Sequence, residues 1–130
     1  MHVLRTMIEA VRAGGIVLDL QVIRPNPRAE TRAGVVVCEL DGRPLFVKAD
    51  AAAAAVDAAL ADGRLADEAV DDHDVLKHFP NGADLVRDFS RVGRVPLGDG
   101  EARLRAIEEP CVTRERCRLR RLRVLYSRRQ

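Results

Sequence analysis

The chain has 130 residues, of which 47% are hydrophobic and 32% charged, and its 22 basic and 20 acidic side chains leave a net charge of +2. These values are typical of one globular domain, which we expect to span residues 1–130. No stretch reaches the roughly 20 apolar residues of a membrane-spanning helix, and no apolar signal segment follows Met1. The three cysteines lack metal-type spacing and fit a reducing compartment, so we expect a cytoplasmic protein with no membrane partner.

The first two predicted elements are a helix and a buried strand. Apolar residues recur at helical spacing over residues 2–13, and Gly14-Gly15 ends the helix because glycine accepts the left-handed conformation found there. Residues 16–23 (IVLDLQVI) are almost continuously apolar and rich in β-branched side chains. This pattern is typical of a strand that is covered on both faces.

A short hairpin is predicted next. Residues 34–40 and 44–47 have the composition of two strands, and Asp41-Gly42 lies between them. An Asp-Gly pair tolerates the positive φ angles of a two-residue hairpin turn.

The middle of the chain predicts an alanine-rich helix and a polar strand. Asp50 is the expected N-cap of a helix over residues 51–62, and Gly63 is its expected end. Residues 65–76 follow as a strand that is unusually rich in acidic side chains.

Two short helices are predicted in the following segment. Asn81-Gly82 precedes a helix over residues 83–90, and a second helix over residues 101–109 ends at Pro110, which cannot continue a helix.

Residues 111–125 fit two patterns. Alternation with period 2 indicates a strand with arginines along one face, whereas Leu119, Leu122 and Leu125 would form the stripe of a helix. We favour the strand, because the segment starts with strand-forming residues directly after Pro110.

The order of these elements resembles the C-terminal half of a class I S-adenosylmethionine-dependent methyltransferase over nearly the whole chain. AGGIVLDL (13–20) is similar to the entry into the fifth strand of that Rossmann-like fold, ALADGRLADEAVDDHDVLKHF (59–79) to the sixth strand, and CVTRERCRLRRLRVL (111–125) to the seventh. The resemblance implies a small α/β domain with a mixed sheet of about five strands, about four helices and a half-Rossmann-like topology.

The chain departs from that family at the cofactor site. There, a glycine-rich loop after the first strand and an acidic residue ending the second strand hold the cofactor. Gly14-Gly15 precedes a strand instead, and no GxGxG motif occurs. We therefore carry over no cofactor-binding or catalytic residue, and we expect no cofactor and no enzyme activity for the isolated chain.

The family's strand order, 3-2-1-4-5-7-6, implies an open sheet edge in a chain that holds only the last three strands. The edge of residues 16–23 that would pair with strand four is then exposed, and an open apolar edge promotes aggregation unless it is covered. Two copies can join edge to edge, the hairpin at 34–47 can fold over the edge, or a partner chain can supply the missing half. Of these arrangements we expect the homodimer.

Polar side chains near the carboxyl end of strand 16–23 form one candidate ligand or interface site, because doubly wound sheets bind ligands at that end. The group consists of Asp19, Gln21, Arg24 and Asn26. Hydrogen bonds to a neighbouring helix or to a dimer partner are the structural alternative.

The arginines of the final strand form a candidate anion-binding site. Arg114, Arg116, Arg118 and Arg120 alternate along one face and are spaced to follow phosphates. Only 3% of the residues are aromatic, which disfavours stacking on nucleic-acid bases. The resemblance also places this strand beside the acidic residues 65–76, so we favour cross-strand ion pairs over nucleic-acid binding.

Metal and cysteine chemistry are disfavoured by spacing. His73 and His78 are five residues apart, which is not the i,i+4 spacing of a helical metal site, and on a strand His73 shares a face with Asp71 but not with Asp72 or Asp74. Cys111 and Cys117 would lie about 20 Å apart along one strand, too far for a disulfide or a shared metal. We expect no metal site and no catalytic cysteine.

The sequence thus predicts a non-catalytic structural or interaction module that self-associates or completes a partner chain. One alternative is a methyltransferase-related subunit, or a truncated enzyme, that needs a separate cofactor-binding half. A third is an arginine-rich nucleic-acid-binding module.

Overall fold

The structure, a computed structural model, describes residue 8 and residues 10–125. Within these residues it is an α/β fold with five strands and three helices. The strands are β1 (Ile16–Val22), β2 (Arg28–Thr31), β3 (Val36–Glu39), β4 (Leu65–Phe79) and β5 (Cys111–Val124), and the helices are α1 (Arg43–Ala61), α2 (Gly82–Ser90) and α3 (Gly100–Arg105). No helix in the described part of the chain is long and apolar enough to cross a membrane.

Strand β5 is the centre of the sheet, because β1, β2 and β4 all pair with it and β3 pairs with β2. The sheet is antiparallel and not mixed as expected. The backbone N–H of Val124 donates to the carbonyl of Gly15 at 2.9 Å, on the side of β1. The N–H of the next residue, Leu125, donates to the carbonyl of Arg64 at 2.9 Å, on the side of β4. Since successive N–H groups point to opposite sides of a strand, β1 and β4 lie along opposite edges of β5.

The predicted strands 16–23, 65–76 and 111–125 are confirmed, and the acidic strand continues to Phe79. The period-2 interpretation of residues 111–125 is therefore correct, and the helical alternative is wrong. β5 pairs with β1 along one edge and with β4 along the other. An extended strand can satisfy its backbone hydrogen-bonding groups on both edges in this way, which favours the strand over the helix.

Of the hairpin predicted around Asp41-Gly42, the strand at residues 34–40 is present as β3, but residues 44–47 are helical, so the hairpin itself is wrong. The hairpin lies earlier, between β2 and β3, where Ala29 faces Cys38 and the N–H of Thr31 donates to the carbonyl of Val35 at 2.8 Å. Asp41 instead accepts a hydrogen bond from the N–H of Arg43 at 3.1 Å, directly before α1. Its carboxylate thus satisfies one of the donors that a helix start leaves unpaired.

Helix α1 begins eight residues earlier than residues 51–62, so Asp50 lies inside the helix and is not its N-cap. Gly63, which has a φ of 81°, follows the end of α1 as predicted. Helix α2 confirms the prediction over 83–90, with the Asn81 side chain accepting from the N–H of Asp84 at 2.8 Å. Helix α3 is shorter than the predicted residues 101–109.

The predicted N-terminal helix, residues 2–13, lies largely outside the described residues. Ile8 and Ala10 are helical, and residues 11–13 are not. The described chain contains three named helices, against about four expected.

The chain divides into two compact units. Among the described residues, the first comprises residues 8, 10–21, 47–72 and 118–125, and the second comprises residues 22–46 and 73–117. Strands β4 and β5 therefore each contribute a segment to both units.

Each unit has its own apolar core. The core of the first unit is formed by Ile8, Val17, Val56, Ala59, Leu65, Leu122 and Val124. The core of the second unit is formed by Ala29, Val37, Cys38, Leu40, Phe79, Leu85, Val86, Phe89, Leu104 and Cys111.

Strand β1 is not covered on both faces as its apolar run predicts. Val17 is buried at 3% exposure, but Leu18 and Leu20 remain 57% and 55% exposed. Side chains alternate between the two faces of a strand, so one face of β1 packs in the core of the first unit and the other is open to solvent.

Gly82 provides a test of the packing in the second unit, because a Cβ at this position would lie 1.7 Å from the backbone carbonyl oxygen of Leu104. We expect Gly82→Ala to lower the free energy of unfolding by about 3 kcal/mol, since backbone must move to remove the overlap. Chemical denaturation measures the change. The exposed neighbour Ala83 offers a control, and a cost for Gly82→Ala as small as that of Ala83→Ser would contradict the described packing.

Candidate functional site

Six arginines of β5 form ion pairs with acidic residues of β4, and we call this set the charge ladder. The pairs are Arg114 and Arg116 with Asp74, Arg118 with Asp72, Arg120 with Asp67, and Arg121 and Arg123 with Glu68. The predicted cross-strand pairing of the basic and acidic strands is thereby confirmed.

One two-point pair of the charge ladder joins Arg118 and Asp72 in the first unit. The Nε and Nη2 atoms of Arg118 donate to the two carboxylate oxygens at 2.8 and 2.9 Å. This two-point geometry matches the planar fork of the guanidinium group. Arg120 donates to Asp67 at 2.8 Å on the same strands.

In the second unit, Arg114 joins the charge ladder to a buried carboxylate. Its Nε donates to Glu30 and its Nη1 to Asp74, both at 3.0 Å. Glu30 lies on β2 and is only 4% exposed. A buried carboxylate requires such a partner because removing its charge from water is costly. Sequence reasoning missed Glu30, since its short strand was not predicted.

The predicted anion-binding row, Arg114, Arg116, Arg118 and Arg120, is thus engaged within the chain. Each exposed pair contributes little to stability on its own, because water screens its charges. Together they favour the observed facing of β4 and β5, because a shift of one residue would turn each carboxylate to the other face of the sheet, away from its arginine. This arrangement favours the structural role of the row over phosphate binding.

The charge ladder changes the acidity of its carboxylates. Hydrogen bonds from Arg123 and Arg121 lower the pKa of Glu68 from its ordinary value of 4.5. Hydrogen bonds from Arg114 and Arg116 lower the pKa of Asp74 from 3.8 in the same way. Each arginine favours the charged form of the carboxylate that it contacts.

The four polar residues predicted as a ligand or interface site have separate local partners. Gln21 Nε2 donates to Asp19 Oδ1 at 3.0 Å in the first unit. In the second unit, the Arg24 guanidinium lies 4.9 Å from the centre of the Phe46 ring, and the N–H of Gly42 donates to Asn26 Oδ1 at 3.0 Å.

These contacts give Arg24 and Asn26 a structural role near the start of α1. Asn26 also donates through Nδ2 to Glu39 at 3.3 Å. Asp19 and Gln21 have no such role in holding a neighbouring element among the contacts described, and both lie half-buried on β1.

The cysteines are buried and free. Burial raises the pKa of Cys38, Cys111 and Cys117, which lowers the fraction of reactive thiolate. His73 and His78 lie on β4, and no group of three or more metal-ligating side chains occurs among the residues that the structure describes.

An ion pair outside the charge ladder, between Arg94 and Glu115, was not predicted. The two side chains are 16% and 13% exposed, and the Arg94 guanidinium also lies 5.2 Å from the centre of the Phe89 ring. Glu115 is the one acidic residue in the arginine-rich tail, and that exception was the signal available in the sequence. The pair is largely desolvated and holds the loop after α2 against β5.

One surface of the first unit lacks a covering layer in the described chain. β1 pairs only with β5 there, so its other edge presents unpaired backbone groups. Leu18 and Leu20 lie beside that edge and are more than half exposed. We call this edge, with the side chains of Leu18 and Leu20, the β1 surface. It can bind another strand through the backbone and apolar groups through its leucines.

Neither a protein-family model, nor a curated protein, nor a solved structure matches this chain. The β1 surface and the charge ladder are therefore the features from which its function is inferred.

The lowered pKa values in the charge ladder predict that the free energy of unfolding depends on pH. Because the pKa values of Glu68 and Asp74 are lowered in the folded state, their contribution is present above 4.5 and 3.8 and is lost as the pH falls through the folded-state values. We expect the Glu68→Gln/Asp74→Asn variant to unfold at a lower temperature than wild type at pH 7 and to lose less stability on acidification.

Thermal unfolding across a pH series measures this difference. Glu108→Gln, which replaces an exposed carboxylate outside the charge ladder, is the control and keeps the wild-type profile. Parallel wild-type and double-variant profiles would show that these pairs do not contribute. Added salt should reduce the difference, because the pairs are exposed.

Proposed function

We propose that this chain is a non-catalytic interaction module that self-associates through the β1 surface. The observation that carries the proposal is the combination of an unpaired strand edge with two leucines, Leu18 and Leu20, that are more than half exposed. Burying both features in one contact satisfies backbone hydrogen bonds and removes apolar surface from water.

The two outer strands around β5 differ in how they are protected. β4 carries six Asp, Glu or Lys residues among its fifteen positions, and such charges discourage the addition of another strand. β1 carries one charged residue, Asp19, among its seven positions. The β1 edge is therefore the more favourable of the two for binding a further strand.

A second copy of the chain is the occupant that these features favour. An antiparallel pair of β1 strands is related by a two-fold axis, so each copy offers the same edge and the contact closes on itself. The alternating backbone donors and acceptors of β1 are complementary to their own reversed copy. Leu18 and Leu20 of each copy then lie next to apolar residues of the other.

The order of the strands supports the methyltransferase resemblance as a proposal about ancestry. In the order 5-7-6 the last strand lies between the two strands that precede it in the sequence, and here β5 lies between β1 and β4. On this reading, the free edge of β1 corresponds to the edge that faces strand four in that family. This gives the second candidate, a subunit that binds a separate glycine-rich, cofactor-binding half.

The oligomeric state tests the proposal. We expect light scattering on a sizing column to give a mass near twice the 14.4 kDa of one chain. Leu18→Lys/Leu20→Lys should shift the mass toward that of a monomer, because lysines on a strand edge oppose pairing. Val47→Lys is the matched control, since Val47 is 69% exposed on α1, and this variant should keep the wild-type mass.

A wild-type protein that stays monomeric across a concentration series would refute self-association. The second candidate then predicts a thermal shift with S-adenosylmethionine only after a glycine-rich partner has been added. A double variant that remains dimeric would place the contact elsewhere on the chain.

A further inference from the structure

The backbone of β1 limits how two copies can meet. The carbonyl of Gly15 and the N–H of Ile23 both bond to β5. Backbone groups alternate in direction along a strand, so the odd-numbered residues point toward β5. The even-numbered residues, 16, 18, 20 and 22, point toward the free edge and are the ones that can bond to a second copy.

Three symmetric registers keep five or more of the seven β1 residues paired. Even residues must face even residues in all of them, so the registers differ in steps of two. The two-fold axis passes through Leu18, Asp19 or Leu20.

The register centred on Asp19 is disfavoured by charge. It places Asp19 directly opposite the partner's Asp19, at a position where the backbones make no hydrogen bond across the seam and approach to about 4.5 Å. Like charges in directly opposed positions destabilise a strand pair.

The register centred on Leu18 is disfavoured by desolvation. It places Asp19 opposite the partner's Val17, and Val17 is 3% exposed in the core of the first unit. A carboxylate there loses water without gaining a donor, which is unfavourable.

The register centred on Leu20 places apolar side chains opposite apolar side chains and the carboxylate opposite an amide. Leu20 faces the partner's Leu20, and Leu18 faces the partner's Val22. Asp19 faces the partner's Gln21, a residue type whose amide offers two donors. Within one chain Gln21 uses one of them on Asp19 Oδ1 at 3.0 Å, and the second is available to the other chain's carboxylate.

We infer that two copies of this chain pair through β1 about a two-fold axis at Leu20, with Asp19 of each copy opposite the partner's Gln21. This inference rests on the proposed self-association and specifies its register. The polar pair occurs twice by symmetry, on one side of the seam, and the leucine contacts occupy the other side.

Disulfide trapping distinguishes the three registers. In the Leu20 register, Leu20→Cys brings two cysteines opposite each other with Cα atoms about 5.5 Å apart, within disulfide range. Leu18→Cys in the same register separates its two cysteines by four residues, roughly 13 Å along the strand. We expect Leu20→Cys to form a covalent dimer on mild oxidation and Leu18→Cys to remain uncrosslinked.

Wild type is the background control, because Cys38, Cys111 and Cys117 are buried. Both substituted leucines are more than half exposed, so the variants should fold, and their unfolding curves verify this. Crosslinking by Leu18→Cys alone would move the axis to Leu18. Crosslinking only in a mixture of the two variants would move it to Asp19. Either result overturns the Leu20 register.

A dimeric mass with no crosslink in any sample would overturn pairing through β1 while leaving self-association intact. A monomeric mass with no crosslink would instead refute the proposed function. The two failures are therefore distinguishable.

Substitutions that change the charges at the seam test the same register without cysteines. Gln21→Glu should weaken dimerisation by about tenfold, because it creates two facing carboxylate pairs. Adding Asp19→Asn should restore dimerisation, since an amide again faces each carboxylate. Sedimentation at several concentrations measures both changes. A dimer that is unaffected by Gln21→Glu, or that is not restored by the second substitution, would contradict the assigned register.

Discussion

The structure depends on the pairing of β5 with β4, because β5 is also the strand to which β1 and β2 attach. The six arginine side chains of β5 repel one another unless acidic residues face them. The charge ladder supplies that partner along both compact units. Its exposed pairs add little free energy each, but a one-residue shift would turn every side chain of β4 to the opposite face. The charges therefore determine register more than they determine stability.

This use of the arginines also determines what surface remains for binding. With the guanidinium groups engaged on β4, and Arg114 additionally holding the buried Glu30, the basic face of the chain has little free charge to offer an external anion. The same charges protect the outer edge of β4 from further strands. Among the described residues, the β1 surface combines backbone groups that no other strand pairs with and two exposed leucines, and it is the surface that we propose for binding.

Most strands could be predicted from sequence, because β-branched runs and alternation report local preferences. The start of α1 was missed because an Asp-Gly pair is also typical of a hairpin turn. Here Asp41 accepts from the N–H of Arg43 at the start of the helix, and Asn26, a residue distant in sequence, accepts from the N–H of Gly42. The open face of β1 was also missed. A continuous apolar run indicates that both faces seek burial, but it does not say whether the second cover comes from the same chain, and here Leu18 and Leu20 stay exposed.

Asp19 gains significance from this open face, because it is the one charge within an otherwise uncharged edge strand. A wholly apolar strand would pair with itself in several registers of similar stability. A single carboxylate makes those registers unequal, since it disfavours facing itself or a buried valine and favours facing the amide of Gln21. Once two copies have joined, the edges left outside the seam include the heavily charged β4, which resists adding another copy. A lone acid on one edge and many charges on another thus favour a closed pair over an open-ended assembly.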